Sequence, residues 1–289
     1  MISTALVHKS STRKEKIITG GAIYVLLSIF GIFFFLPFVW MIFTSLKMPA
    51  QIFALPIRWF PWPIHWQNFP TMWKLTSMQV PFANSVIITF GSMAGVFLSA
   101  PVVAYGFARI NFWGKDLLFI VLLGTIMLPI QITIVPLYII YRYLGWINTF
   151  KPFIVPSFFG GGAFFIFLLR QFFMTIPSEL EDAARIDGCS TFGILWRIFL
   201  PLSKPVIAAV GIFDFVNTWN EYFLPLILLT SAEKIPLTVA LALFRDVEGS
   251  LQYNMVMAAA IVATVPCIVI FLVAQKYFVQ GIAITGIKE

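Results

Sequence analysis

An all-α, polytopic membrane protein with six transmembrane helices is what the sequence predicts, on three observations: its composition, the placing of its charges, and the length of the apolar runs between them. Of 289 residues, 60% are hydrophobic and 11% are charged, against about 45–50% apolar and about 25% charged in a soluble domain. That excludes an ordinary water-soluble globular enzyme. A bilayer core about 30 Å thick takes roughly 20 apolar residues per helical crossing. Lipid cannot solvate a bare backbone, so each such run should be helical.

Six runs qualify. Ile17 to Thr44 lies between Lys16 and Lys47, and Phe82 to Ala108 ends at Arg109. Leu117 to Tyr141 sits between Asp116 and Arg142, and the shorter Pro152 to Leu169 between Lys151 and Arg170. Pro205 to Thr230 carries two acids but is otherwise apolar, and Met255 to Gln275 ends at Lys276. The first run is too long for a cleaved secretory signal, whose core spans roughly 7 to 15 residues.

Orientation follows from the cations. With the amino terminus in the cytoplasm, Lys47, Arg58, Lys74, Arg142, Lys151, Lys234 and Arg245 fall outside, and the other Lys and Arg of the 19 fall inside. That inside excess puts both termini in the cytoplasm. The net charge of +7 then reads as topology and attraction to lipid headgroups, not as nucleic-acid binding. The organisation expected is an amino-terminal segment 1–16, a six-helix domain 17–275 that includes a cytoplasmic loop 170–204, and a tail 276–289.

Within the runs, Gly91, Gly95 and Ser99 recur at four-residue spacing, a pattern that lets helix backbones approach closely in lipid. Pro101, Pro129, Pro136 and Pro266 are expected to interrupt helices two, three and six. Trp59, Trp62, Trp66 and Trp73 in the segment from Lys47 to Pro81 suit an interfacial aromatic belt, with a partner-docking surface as the other use. Cys189 and Cys267 are expected on different sides of the fold, without a disulfide or metal spacing. His8 and His65 are expected in solvated positions.

The loop 170–204 reads RQFFMTIPSELEDAARIDGCSTFGILWRIFLPLSK and describes two short helices joined by a sharp turn. Pro177 and Ser178 open the first, with Ser178 and Glu181 spaced as a capping box, and Leu180, Ala183 and Ala184 form a slim apolar face. Gly188 stands where a left-handed residue ends a helix. Ser190 or Thr191 can cap a second helix holding Phe192, Leu195, Trp196 and Phe199, which Leu200 and Pro201 stop. So small and rigid a helix pair suits a groove on a soluble partner, or simply the membrane surface.

This loop resembles the signature of binding-protein-dependent ABC importer permeases: Glu-Ala-Ala, three residues, Gly, nine residues, Ile, one residue, Leu-Pro. Asp182, Ala183, Ala184, Gly188, Ile198, Leu200 and Pro201 stand at that spacing. Asp182 replaces the signature Glu and Glu181 precedes it, so either acid could make a partner contact. The stretch from Phe213 to Leu229 and the ending from Gln275 to Glu289 resemble the carbohydrate-specific branch, typified by the smaller maltose permease subunit.

The resemblance implies the type I ABC importer permease fold in the cytoplasmic membrane of a bacterium or archaeon. It implies a coupling helix around Glu181 to Gly188, with Arg185 and Asp187 in it, that docks on a cytoplasmic ATPase. It also implies the partners: a second permease subunit, two ABC ATPase subunits, an extracytoplasmic solute-binding protein, a carbohydrate substrate and membrane lipids. The chain has no Gly-rich phosphate loop. It is therefore expected not to be an enzyme and to hold no cofactor, with ATP and Mg²⁺ bound by the partner ATPase subunits.

For the substrate pathway, Asp214, Asn217, Thr218 and Glu221 share one face of the fifth run. Ionisable groups within a membrane helix are expensive and face protein or water, so the stripe suits substrate contact or bonds to neighbouring helices. Trp219, Tyr222 and Phe223 suit stacking on a sugar ring or aromatic packing. The segment from Ser231 to Tyr253, with Lys234, Arg245, Asp246 and Glu248, lies where the maltose-type subunit has a loop reaching toward the binding protein. Gly286, Ile287 and Lys288 resemble a tail that lies against the ATPase pair. An ion-driven secondary carrier working through Asp214 and Glu221, and a non-transporting scaffold, are the competing readings.

Overall fold

The computed structural model describes residues 13–75, 77–244 and 252–286. Residues 1–12 of the amino-terminal segment, including His8, lie outside them, as do Arg245, Asp246 and Glu248, and Ile287 and Lys288 of the tail. All regular structure among the described residues is helical. Four helical stretches are long and apolar enough to cross a membrane: Ile23–Ser45, Gln79–Arg109, Lys151–Thr175 and Tyr253–Gln275. Two bent pairs, Lys115–Ile126 with Ile130–Tyr143 at 102° and Thr191–Leu202 with Lys204–Trp219 at 81°, raise the number to six.

The chain forms two compact units, Met1–Phe69 with Gln252–Ile261, and Pro70–Leu251 with Val262–Glu289. In the first, the most apolar stretch of the Ile23–Ser45 span is left uncovered by the described residues, as befits a helix that faces lipid or another protein. Its end is tied down by Asn68. The Asn68 amide donates to the carbonyls of Ser45 at 2.7 Å and Lys47 at 2.9 Å, two groups that a helix end leaves without partners. Its oxygen accepts from Asn254 at 3.0 Å. His65, expected in solvent, is half-buried with Nδ1 3.2 Å from the same oxygen. The Lys47 ammonium lies 4.6 Å from the Trp40 ring centre, and burial lowers its pKa. Trp59, Trp62 and Trp66 are exposed, as in an interfacial belt.

The second unit is built on the Gln79–Arg109 helix, which packs against Ala163–Thr175, the Val155–Phe158 turn and Lys204–Trp219. Its small-residue stripe is the reason the contact is close. A Cβ on Gly95 would sit 2.8 Å from the backbone carbon of Ser157, and one on Gly91 2.8 Å from Ile154 Cδ1. Ser99 donates to the Ser157 carbonyl at 2.7 Å, and Ser92 and Ser157 share a hydroxyl hydrogen bond of 2.8 Å.

Two runs expected as single helices are broken. The fourth passes from Lys151–Ile154 through a 3₁₀ turn, then Gly160, Gly161 and Gly162, all at positive φ, into Ala163–Thr175. The fifth stops at Trp219 and resumes as Phe223–Leu228. A side chain makes that second break cheap: Glu221 accepts from the Phe223 and Leu224 amides at 2.9 and 3.1 Å, and Asn220 adds a 2.8 Å side-chain bond to the Val216 carbonyl that its backbone amide already holds. Of the four prolines expected to interrupt helices, only Pro129 stands at a break; Pro101, Pro136 and Pro266 lie inside continuous helices. Neighbouring groups in a membrane bundle can satisfy the carbonyl that each proline frees.

The loop 170–204 folds as the expected helix pair, with corrections. The first helix, Ser178–Ile186, follows Pro177, and no side-chain cap forms there. Pro177 occupies the capping position, so Ser178 is already helical and no Ser178–Glu181 box can close. The helix ends as foreseen: Gly188 has φ +78°, Cys189 N donates to Ala184 O at 2.9 Å, and Gly188 N to Arg185 O at 3.0 Å. Ser190 caps the second helix by accepting from Gly193 N at 3.2 Å. That helix runs past Leu200 and Pro201 to Leu202, with a π turn over Leu195–Phe199. The wider turn sits just ahead of the proline, which has no amide hydrogen to give to the preceding turn.

Three glycine substitutions separate these effects. Gly95→Ala should destabilise by about 1–3 kcal/mol, since backbone cannot yield as a side chain would. Gly106→Ala in the same helix, where an added Cβ meets nothing within 4 Å, should stabilise by roughly 0.5–1 kcal/mol. Gly188→Ala, also in open space, should cost about 1–2 kcal/mol through its left-handed φ alone. Melting temperatures of the purified variants in one detergent check all three signs.

Candidate functional site

Two places in the second unit gather the residues singled out by sequence. The first is the Ser178–Ile186 helix. Glu181 and Asp182, neighbours that left the partner contact undecided, point in opposite senses. Glu181 is 7% exposed, and its Oε1 accepts from Tyr105 Oη at 3.2 Å and from Arg185 Nη2 at 2.8 Å. The Arg109 guanidinium lies alongside, Nε 3.9 Å from Glu181 Oε2. Asp182 is exposed. The Glu181 carboxylate raises the pKa of the exposed Arg185 guanidinium, chiefly through that hydrogen bond.

The apolar face divides in the same way. Ala184 is buried in a cluster with Val96, Ala104, Tyr105, Phe173, Ile194 and Phe199. Ala183, Leu180 and Ile186 are exposed, Ile186 at 87%. The face read from sequence as one stripe is therefore two: Ala184 packs on the bundle, and Leu180 with Ala183 faces away. Arg185, Asp187 and Gly188 are exposed, Ile198 is partly buried against the same cluster, and Leu200 and Pro201 lie in the second helix.

The second place is a cavity of about 200 Å³ lined by Asn217, Thr218 and Glu221 together with Ser85, Ile88, Phe153, Pro225 and Pro236. Three of the five pathway residues thus share one hollow. The other two lie off it. Asp214 is 4% exposed; its Oδ1 accepts from Thr218 Oγ1 at 3.3 Å, and its Oδ2 has no hydrogen-bond partner among the described residues. Trp219 is 3% exposed, stacked on Phe215 at 5.4 Å, with its indole N–H donating to the Ala263 carbonyl at 2.9 Å. That is packing. Tyr222 is partly exposed at the helix break.

Sequence reasoning also passed over a residue that ties two walls of the cavity together. Asn148, in the left-handed region at φ 59°, donates from its backbone to Leu228 O at 2.8 Å and from Nδ2 to Ser231 Oγ at 2.6 Å. Its Oδ1 accepts from the amides of Thr230 and Ser231, each at 3.1 Å. It thus joins the chain just before Lys151–Ile154 to the end of Phe223–Leu228, two elements that line the hollow. Its only sequence signal was a polar residue between Gly145 and Lys151. Tyr105 and Arg109 were equally silent: Arg109 had been read for its charge alone.

The protein-family description "Binding-protein-dependent transport system inner membrane component" matches residues 87–284. The probable ABC transporter permease protein YurM of Bacillus subtilis is 35% identical over 281 residues, covering 97% of this chain and 92% of that protein. The trehalose/maltose transport system permease protein MalG of Thermococcus litoralis is 30% identical over 254 residues, covering 87% and 91%. In the solved structures, a chain from a bacterial ABC transporter involved in the import of the acidic polysaccharide alginate superposes with a TM-score of 0.80 at 25% identity, covering 93% of this chain and 99% of that one. From the signature loop between the fourth and fifth runs to the match over most of its length, the chain belongs to the family of binding-protein-dependent transport system inner membrane components.

Proposed function

We propose that this chain is the permease subunit of an importer for a sugar or oligosaccharide, forming half of the translocation pathway and coupling it to ATP hydrolysed by separate subunits. Relatives named for trehalose and maltose, arabinooligosaccharides and diacetylchitobiose support the carbohydrate class. In this reading the partners are a second permease subunit, two ABC ATPase subunits that bind ATP and Mg²⁺, and an extracytoplasmic solute-binding protein. The chain sits in a cytoplasmic membrane with both termini inside. The family speaks against an ion-driven carrier.

One observation carries the coupling role: the Ser178–Ile186 helix holds its buried acid, Glu181, against the bundle and leaves Asp182, Ala183 and Ile186 open to a partner. Closure of an ATPase dimer gripping that exposed face would move the helix, and with it the permease. Along the pathway, Asn217, Thr218 and Glu221 offer acceptors and donors to sugar hydroxyls. Asp214, one turn below Thr218, lies within reach once the helices part. Trp219 supports that wall from behind.

The chain purified from its native membrane should carry ATPase subunits with it. Ala183→Trp or Ile186→Asp should cut the retained ATPase about tenfold or more, the scale of one interface hot spot. A chain that purifies alone, and whose uptake follows an ion gradient and ignores ATP, would overturn the proposal. In the same preparation, Glu221→Gln and Asn217→Ala should lower sugar uptake several-fold, roughly one hydrogen bond each. Uptake equal to that of the parent protein would remove those two residues from the pathway.

A further inference from the structure

Arg109 makes more contacts than a topology marker needs. It ends the Gln79–Arg109 helix, and its Nη2 donates to the Phe173 carbonyl at 2.7 Å and to the Ile176 carbonyl, both where the Ala163–Thr175 helix finishes. Its guanidinium carbon lies 5.1 Å from the Phe199 ring centre, in the π turn of the second loop helix. One side chain therefore touches the ends of two membrane helices and the loop that leads into a third. One turn earlier, Tyr105 is 3% exposed, with its ring 4.9 Å from that of Phe199 and 6.5 Å from that of Phe173. Its hydroxyl points at Glu181.

The contact between this group and the Ser178–Ile186 helix is narrow and unfinished. Arg109 Nε is buried with no hydrogen-bond acceptor among the described residues, yet it lies 3.9 Å from Glu181 Oε2, beyond hydrogen-bond length. A buried guanidinium N–H without an acceptor is unfavourable. A shift of about 1 Å in the helix would bring the pair to the 2.7–2.9 Å of a charge-assisted bond. Such a contact favours one position of the helix over another.

We propose that Tyr105 and Arg109 are positioning residues for coupling. They hold the Ser178–Ile186 helix to the inner ends of the membrane helices through Glu181, so that its movement reaches the bundle by this clamp while Asp182 is left for docking. The inference rests on the coupling role proposed above. It adds two residues, from a different segment of the chain, that no partner needs to touch.

The test uses the assembled complex, permease pair with ATPase subunits and binding protein, in lipid vesicles, and measures ATP hydrolysed and sugar transported together. Tyr105→Phe removes one hydroxyl and keeps the ring packing. Arg109→Lys keeps the charge but cannot span both carbonyls and the carboxylate. Each should retain its ATPase subunits while sugar moved per ATP falls, about tenfold for Arg109→Lys, the scale of one hydrogen bond to a charged group, and less for Tyr105→Phe. The double variant should lose less than the two single effects combined, because both act on the same carboxylate.

A merely structural role would lower transport and hydrolysis in proportion, with less complex recovered, and that result overturns the clamp. So does an unchanged ratio in both variants. If the parent complex holds no ATPase at all, the coupling role itself fails, and that outcome is visible before any variant is made.

Discussion

One constraint bears on every break in a membrane helix: within lipid, a backbone group that leaves its helical partner must find another inside the protein. The fifth run shows how sequence meets it. Glu221 takes the two amides that the second half of the break exposes, while Asn220 adds its side-chain amide to the Val216 carbonyl, which its own backbone amide already holds. Glu221, one of several polar residues in this stretch, thereby lets one span become two pieces. A cavity opens beside them. Glu221 read in the sequence as part of a polar stripe with a transport use, and its bonds in the fold go to the backbone.

The same economy governs the loop. Glu181 is buried and Asp182 exposed because a helix sends adjacent residues about 100° apart around its axis. One acid holds the helix to its own bundle, and the next is left to whatever approaches from outside. Proline sets the start of this arrangement and glycine its end, so the helix has little freedom to slide along its axis. Ala184 is buried in the cluster that also holds Tyr105 and Phe199, and its small side chain adds little bulk between the helix and the bundle.

Much of this was legible in the chain itself. Apolar length and charge spacing located the four continuous spans, and the small-residue stripe at Gly91, Gly95 and Ser99 located a close helix contact. Gly188 and Ser190 marked the turn and cap in the loop, and Asn217, Thr218 and Glu221 came together around one hollow. What stayed hidden depends on partners distant in sequence. Glu181 looked like half of a capping box because its neighbours along the chain suggested one, whereas its partners, Tyr105 and Arg109, lie some 70 residues earlier. Asn148 carried no pattern at all, since its worth lies in where Leu228 and Ser231 arrive. The broken fourth run has a similar origin: its three glycines permit the bend, but only the approach of Val96 to Gly161 gives it a reason.

Arg109 is also bound up with how the protein is made. While the chain is being threaded into a bilayer, a cation at the end of an apolar run is a signal that holds that end back from crossing. Once folding is complete, the same charge lies against two carbonyls, an aromatic ring and the Glu181 carboxylate. It is then withdrawn from lipid headgroups. In the orientation proposed above, the residue is read twice, first by the machinery of biogenesis and later by the finished molecule. Selection on insertion and selection on the mature protein therefore bear on a single side chain, and a neutral replacement would be felt at both stages of its life.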